Sequence, residues 1–194
     1  LGIGTSSPST ALDVVGTATM DGLTVDGNAV ISGAVSSLYF DETDTTDVNT
    51  RLVPSSGDFL IQTTNDAHNT NTTRFKLDHA TGDISFYEDT GTTPKFFWDA
   101  SAESLGIGTS SPSRPLDIYA ANPAVRFTDS DGSYGEVVTG SGTLAIRADH
   151  GNTAASSYIR MEVDGSEAMR IDSSGNVGIG TSSPATALDV TGGV

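Results

Sequence analysis

A chain of 194 residues with 25 acidic and 9 basic side chains, a formal charge of −16, is a poor partner for nucleic acid, whose binding rests on neutralising phosphate. Only 36% of residues are hydrophobic and Gly contributes 22, which argues against a helical protein; the absence of cysteine removes disulfides and thiol nucleophiles. Short runs of Val, Ile, Phe and Tyr between Gly, Asp, Asn and Ser predict an all-β chain with many turns, and so thin a supply of apolar side chains predicts a core completed by other copies of the chain.

Residues 1–14 read LGIGTSSPSTALDV, and the same words return at 105–118 and 177–190. The first and third copies agree at 12 of 14 positions and the first and second at 11 of 14, at offsets of 104 and 72 residues, so one joint recurs with unequal material threaded between. Gly2 and Gly4 flank Ile3, a spacing expected where backbones converge on an axis and the isoleucine fills the centre. Pro8 predicts a bend, and Leu12 and Val14 alternate with Asp13 as a short strand with one apolar face. The matching residues Ile107, Leu116, Ile118, Ile179, Leu188 and Val190 take the same packing role. The chain opens inside its own motif, so it reads as a slice of a longer polypeptide cut in phase with the repeat.

Residues 1–37 are therefore expected to be joint and β-shaft, with turns at Asp21-Gly22 and Asp26-Gly27 and with Leu23, Val25 and Val30 meeting neighbouring chains. Residues 38–104 hold every Phe and Trp except Phe127, enough for a small globular module with strands at 51–53, 58–63, 73–77, 84–87 and 95–98. A polar loop at 65–71 has no apolar anchor and suits an exposed contact. After a second joint at 105–120, residues 121–176 predict another β-module, with strands at 124–128, 135–139, 143–147, 157–163 and 168–171, half exposed by their period of two. Residues 177–194 are the third joint and the start of another shaft segment.

One pattern ties modules to joints: apolar-x-apolar-Asp, a turn, then apolar-x-apolar. It occurs at Phe75/Leu77/Asp78 into Ile84/Phe86, at Phe96/Trp98/Asp99 into Leu105/Ile107, and at Met169/Ile171/Asp172 into Val177/Ile179. Each predicts a hairpin whose Asp accepts hydrogen bonds from its turn, and two of them make the joint the outgoing strand of a hairpin.

No catalytic, cofactor or metal residue stands out. Most of the 19 Asp lie in turn-like surroundings; Asp129-x-Asp131-Gly132 starts like a calcium loop but lacks its later acidic ligands. His68, His79 and His150 have no zinc spacing, the Gly-rich joint lacks a P-loop lysine, and no G-x-S-x-G follows a strand. Trp98, Tyr87 and Tyr134 offer either a carbohydrate-stacking platform or core, with core favoured. Asp41, Glu42, Asp44 and Asp47 read as a solvated acidic face. No apolar run approaches the ~20 residues that cross a bilayer as a helix.

With GIGTSSP-x-x-x-LDV, Met169–Thr181 (MRIDSSGNVGIGT) and Ala80–Asp89 (ATGDISFYED) in view, the chain resembles the repetitive shaft regions of bacteriophage tail-fibre proteins, notably those of marine and cyanobacterial phages. The resemblance implies an elongated, parallel homotrimeric fibre with intertwined, β-helix-like shaft segments and small β-rich modules. It makes Ile3, Leu12, Val14, Ile107, Leu116, Ile118, Ile179, Leu188 and Val190 the trimer core. It also implies a structural and adhesive role on the virion, outside the cell, without enzymatic activity, cofactor, nucleic-acid binding or membrane insertion. The partners it implies are other copies of the chain, other tail proteins and a host-surface glycan or protein receptor. A bacterial surface filament or adhesin is the alternative, and a glycan-degrading tailspike a more distant one. The self-cleaving chaperone domain that ends many such fibres has no match in the chain.

Overall fold

The computed structural model describes residues 1–34, 36–42, 49–154 and 156–192; these form 17 strands and no helix, so the protein is all-β. β1 (Gly2–Ile3) and β2 (Asp13–Val14) pair in parallel within the first joint. Eight strands follow one another across a single sheet: β3 (Leu38–Phe40), β4 (Asn49–Ser55), β5 (Asp58–Thr64), β6 (Asn71–Asp78), β7 (Ile84–Tyr87), β8 (Pro94–Asp99), β9 (Ser104–Ile107) and β10 (Leu116–Ile118). All neighbours are antiparallel except β9 and β10. β11 (Ala124–Thr128), β12 (Tyr134–Gly140) and β13 (Thr143–Ala148) make a three-stranded meander. β14 (Ile159–Val163), β15 (Ser166–Ile171), β16 (Val177–Ile179) and β17 (Leu188–Val190) make a four-stranded sheet whose last pair is again parallel.

Every strand expected in the two β-rich stretches is present, because alternation and turn chemistry are local signals. The sheets, however, cut the chain in their own places. The second joint is the end of the eight-stranded sheet, and residues 121–176 are shared between two sheets. Among the described residues of 15–37 there is no strand, and neither Asp-Gly pair closes a hairpin. Leu23-Thr24-Val25 is too short for a ladder, and a two-stranded hairpin without a third strand or a packed face is marginal in water. Winding of a β-helix is likewise absent among the described residues, whose strands run as meanders.

The globular aromatic module expected at 38–104 is instead one layer of sheet. Its strands are joined to their immediate neighbours, so the sheet never folds back upon itself to enclose its aromatic side chains. Among the described residues Val53 is the one hydrophobic side chain classed as buried, at 1% exposure. The chain exposes 13,620 Å², whereas a compact globule of 19.9 kDa would expose roughly 8,700 Å².

Candidate assembly face

Successive side chains of a strand point to opposite faces, so the pairing register decides which residues share a face. In the eight-stranded sheet Leu38, Leu52, Ile61 and Phe75 stand in one cross-strand row, continued without a break by Phe86, Phe96, Ile107 and Ile118. A second row on that face runs from Pro54 and Phe59 through Leu77, Ile84 and Trp98 to Leu105 and Leu116. Phe75, Phe86 and Phe96 meet edge to face with centroids 5.3 Å apart at each step, which ties the centre of the face together. The other face is mixed: it carries Arg51 and Gln62, and a row in which Val53, Leu60 and Phe97 stand with Lys76, Ser85 and Asp117, Lys76 lying between Asp58 and Asp78 at 3.2 Å from each. The centre of the apolar face is open, with Phe86 48% exposed, while Ile31 lies beside Leu38, Leu52, Pro54 and Phe59 at one end and Val125, Val137 and Leu144 lie beside Leu116 and Ile118 at the other.

The two smaller sheets repeat this segregation. Val125, Val137 and Ile146 form one apolar row, and Arg126, Glu136 and Arg147 form the adjacent row on the opposite face. There Arg147 donates to Glu136 at 2.9 Å and Arg126 lies over the Tyr134 ring at 3.4 Å, which gives Tyr134 a cation partner and no enclosed core. In the last sheet Ile159, Ile171, Val177 and Leu188 form one row and Met161, Met169, Ile179 and Val190 the next, opposite Arg160, Arg170 and Asp189. Met161, Ile179 and Val190 are all exposed.

The structure brings eight of the nine expected core residues onto registered cross-strand pairs. Ile3 stands opposite Val14, Ile107 opposite Ile118, Leu105 opposite Leu116, Ile179 opposite Val190, and Val177 opposite Leu188. Leu12, the ninth, lies just before β2 and is exposed. Within this one chain they are open to solvent or half buried, Ile3 at 53% and Ile107 intermediate.

The glycines of the joint have a different reason from the one expected. An added Cβ on Gly106 would lie closer than 3.0 Å to the Thr109 carbonyl oxygen, as one on Gly2 would to Thr5 and one on Gly178 to Thr181. Gly4, Gly108 and Gly180 sit at φ of +72°, +79° and +71°, each pressed against the carbonyl of the residue that leaves the second strand: Val15, Tyr119 and Thr191. The close approach is therefore within one chain: Gly2, Gly106 and Gly178 face the crossover loop, and Gly4, Gly108 and Gly180 face the residue that leaves the second strand. Asp117 anchors that loop by accepting from Ser113 N and Oγ at 2.9 Å, and Asp13 does the same for Ser9. Since Gly106 pairs with Asp117, the crossover packs over the polar face and leaves the apolar face clear. Sequence reading missed this parallel return, whose only local sign was the Asp of the repeated LDV or LDI.

The turn carboxylates behave as the hairpin pattern predicts. Asp78 accepts from Ala80 N and Thr81 N, Asp99 from Ala102 N, and Asp172 from Ser174 N and Asn176 N. These backbone donors hold all three below the usual carboxylate range, and Glu88 is held down in the same way by the amides of Thr90, Thr93 and Thr92. Asp129 moves the opposite way, pushed up by the hydrogen-bonded Asp131 carboxyl beside it. A depressed folded pKa contributes stability that is present above the unfolded values of 3.8 to 4.5 and is lost as pH falls through the folded ones. Thermal unfolding followed by circular dichroism at a fixed ionic strength near 0.15 M, where distant repulsions are screened, should give a midpoint constant from about pH 7 to 5 and falling below about pH 4. A midpoint that rises on acidification would overturn this reading of the turns.

Among the described residues no group of three His, Cys, Asp or Glu is placed to hold a metal ion. The loop at 65–71 is anchored after all: His68 stacks on Tyr39 at 4.1 Å and contacts Asp41 at 3.0 Å, and Asn65 Oδ1 accepts from Asn69 N and Thr70 N. Of the expected acidic face, Asp44 and Asp47 lie outside the described residues. No family model matches the chain, and no curated protein matches it either.

Proposed function

We propose that this chain is a segment of a bacteriophage tail fibre, a parallel homotrimer that links the virion to the host surface and acts by scaffolding and adhesion, not catalysis. The observation that carries the proposal is the apolar face on each of the three larger sheets, much of it exposed in the single chain, with most charged side chains on the other face. A face of that composition is unstable in water by roughly 25 cal/mol per Å² left exposed, and copies of the same chain supply a matching cover. Charges facing outward let three chains of −16 associate without bringing like charges into the core. Three-fold presentation would multiply weak contacts with a host glycan or protein receptor through effective concentration.

The oligomer is checked by sedimentation equilibrium, with a mass three times 19.9 kDa expected and rods expected in electron micrographs. A monomer in dilute solution sinks the trimeric reading. Adding the purified protein to host cells should slow adsorption of a phage that carries this fibre; unaltered adsorption kinetics at saturating protein would remove the adhesive role.

A further inference from the structure

We infer that the turn end of the β11–β13 sheet carries a binding site for a neutral hexose unit of a glycan, with Phe127 as its stacking platform and the space left open at Gly135 as its floor. The inference rests on the adhesive part of the reading above, for which it names a site and a ligand class, and it does not depend on the trimer.

Gly135 starts the argument. A glycine inside a strand weakens it, because its backbone has the most freedom to lose and it brings no side chain to pack. The other glycines within the described strands are Gly2, Gly106, Gly140 and Gly178, and each has a steric reason: an added Cβ would lie closer than 3.0 Å to another atom. Gly135 has none. Its φ is not in the left-handed region, and the nearest atom to an added Cβ is the Arg147 carbonyl oxygen at 3.6 Å, an ordinary contact. The fold would accept a side chain here, and the sequence withholds one. A strand glycine with no backbone reason is a mark of close approach by something outside the strand.

The register shows what the empty position does. Phe127, Gly135 and Ala148 form one cross-strand row, on the same face as Val125, Val137 and Ile146. The apolar row of Val125, Val137 and Ile146 stops short of it, and bulk in the next row is confined to Phe127, whose ring is 71% exposed beside the hollow. A cavity of about 460 Å³ opens there, bordered further by Asp129 and Ser133 of the β11–β12 turn and by Ser157 and Tyr158. That volume is in the range of small-molecule sites. Its wall is held from within: Asp149, 9% exposed, accepts from Thr153 N and Ala154 N at 2.9 Å each, and Thr153 Oγ1 donates to Ser133 Oγ at 3.4 Å, which ties the loop after β13 to the turn.

The lining selects the ligand. The C–H face of a pyranose is apolar with a slight positive charge, so it stacks on the negative face of an open aromatic ring such as Phe127. Its hydroxyls need acceptors and donors around that ring, and the Asp129 carboxylate with the Ser133 and Ser157 hydroxyls supplies both. Among the described lining residues there is no Lys or Arg, whereas Asp129 and Asp149 are both present, so an acidic sugar is repelled.

Saturation-transfer NMR on the full chain reads the site, with the methyl glycosides of glucose, galactose and mannose as probes and glucuronic acid as the acidic control. Transfer is expected to at least one neutral glycoside at millimolar concentration and not to the acid. Gly135→Val fills the floor with a side chain that suits a strand, so it is expected to weaken binding about tenfold or more without lowering the thermal midpoint. Phe127→Ala, which removes the platform, should weaken it likewise and serves where Gly135→Val does not fold. No transfer to any neutral glycoside, equal transfer to glucuronic acid, or unaltered affinity in Gly135→Val overturns the inference. Slowed phage adsorption without transfer removes the site and leaves the adhesive role. Transfer by a chain of monomeric mass removes the trimer and leaves the site.

Discussion

Gly108→Ala is expected to destabilise the protein by roughly 3 kcal/mol, well beyond what a glycine in a free turn would cost. Gly108 stands at φ +79°, a conformation that costs an L-residue about 1–2 kcal/mol by itself. An added Cβ would also overlap the Tyr119 carbonyl oxygen, and that backbone is held in place because Tyr119 N donates to Ile107 O at 2.8 Å. Relief would require breaking the parallel pairing of β9 with β10. Gly142 supplies the comparison: it has the same φ of +79°, but no atom lies within 4 Å of an added Cβ, so Gly142→Ala is expected to cost only about 1 kcal/mol. Denaturant unfolding of the two variants checks the difference, and hydrogen exchange should locate the Gly108 effect in β9 and β10. Equal losses would show that crowding by the Tyr119 carbonyl contributes nothing.

Phe86→Glu is the other large effect. Phe86 lies at the centre of the apolar face, edge to face with Phe75 and Phe86's other neighbour Phe96, and is 48% exposed in the single chain. In a closed trimer each copy loses roughly 1.5–3 kcal/mol of aromatic burial and encloses a carboxylate with no cation partner, at several kcal/mol more per charge. Summed over three chains this is on the order of 10 kcal/mol or more, enough to dissociate the assembly at micromolar concentration. Sedimentation velocity should show the variant as smaller species, with Phe86→Leu remaining trimeric. The exposed Lys95→Gln, which also makes each chain more negative by one charge, should leave the mass unaltered. If Phe86→Glu keeps the full mass, the apolar face is not where the copies meet.

Much of the fold was legible in the sequence because its signals are local. Alternation marked each strand of the two β-rich stretches, and the Asp after the first strand of a hairpin foretold the turn hydrogen bonds now seen at Asp78, Asp99 and Asp172. The repeat foretold that Ile3, Ile107 and Ile179 share one environment, and each proves to stand opposite the last residue of its LDV or LDI strand. The aromatic-rich stretch misled for a physical reason. Burial area measures what a side chain gains when it is covered, and a meander of adjacent strands supplies no second layer to cover it. The loop at 65–71 misled likewise, since its aromatic anchor, Tyr39, comes from a strand 29 residues earlier than His68.

By itself, then, the sequence determined the all-β class, the places of the strands and the choice of residues for one apolar face, since a period of two and the turn residues act over a few neighbours. The tertiary structure alone decided that the row from Leu52 through Ile107 is continuous, that the joint returns in parallel on itself, and that its glycines make room for its own crossover loop and for the residue that leaves its second strand. Those features depend on which backbone groups pair across turns and crossovers. A one-residue slip in that pairing would have turned the same side chains to the opposite face.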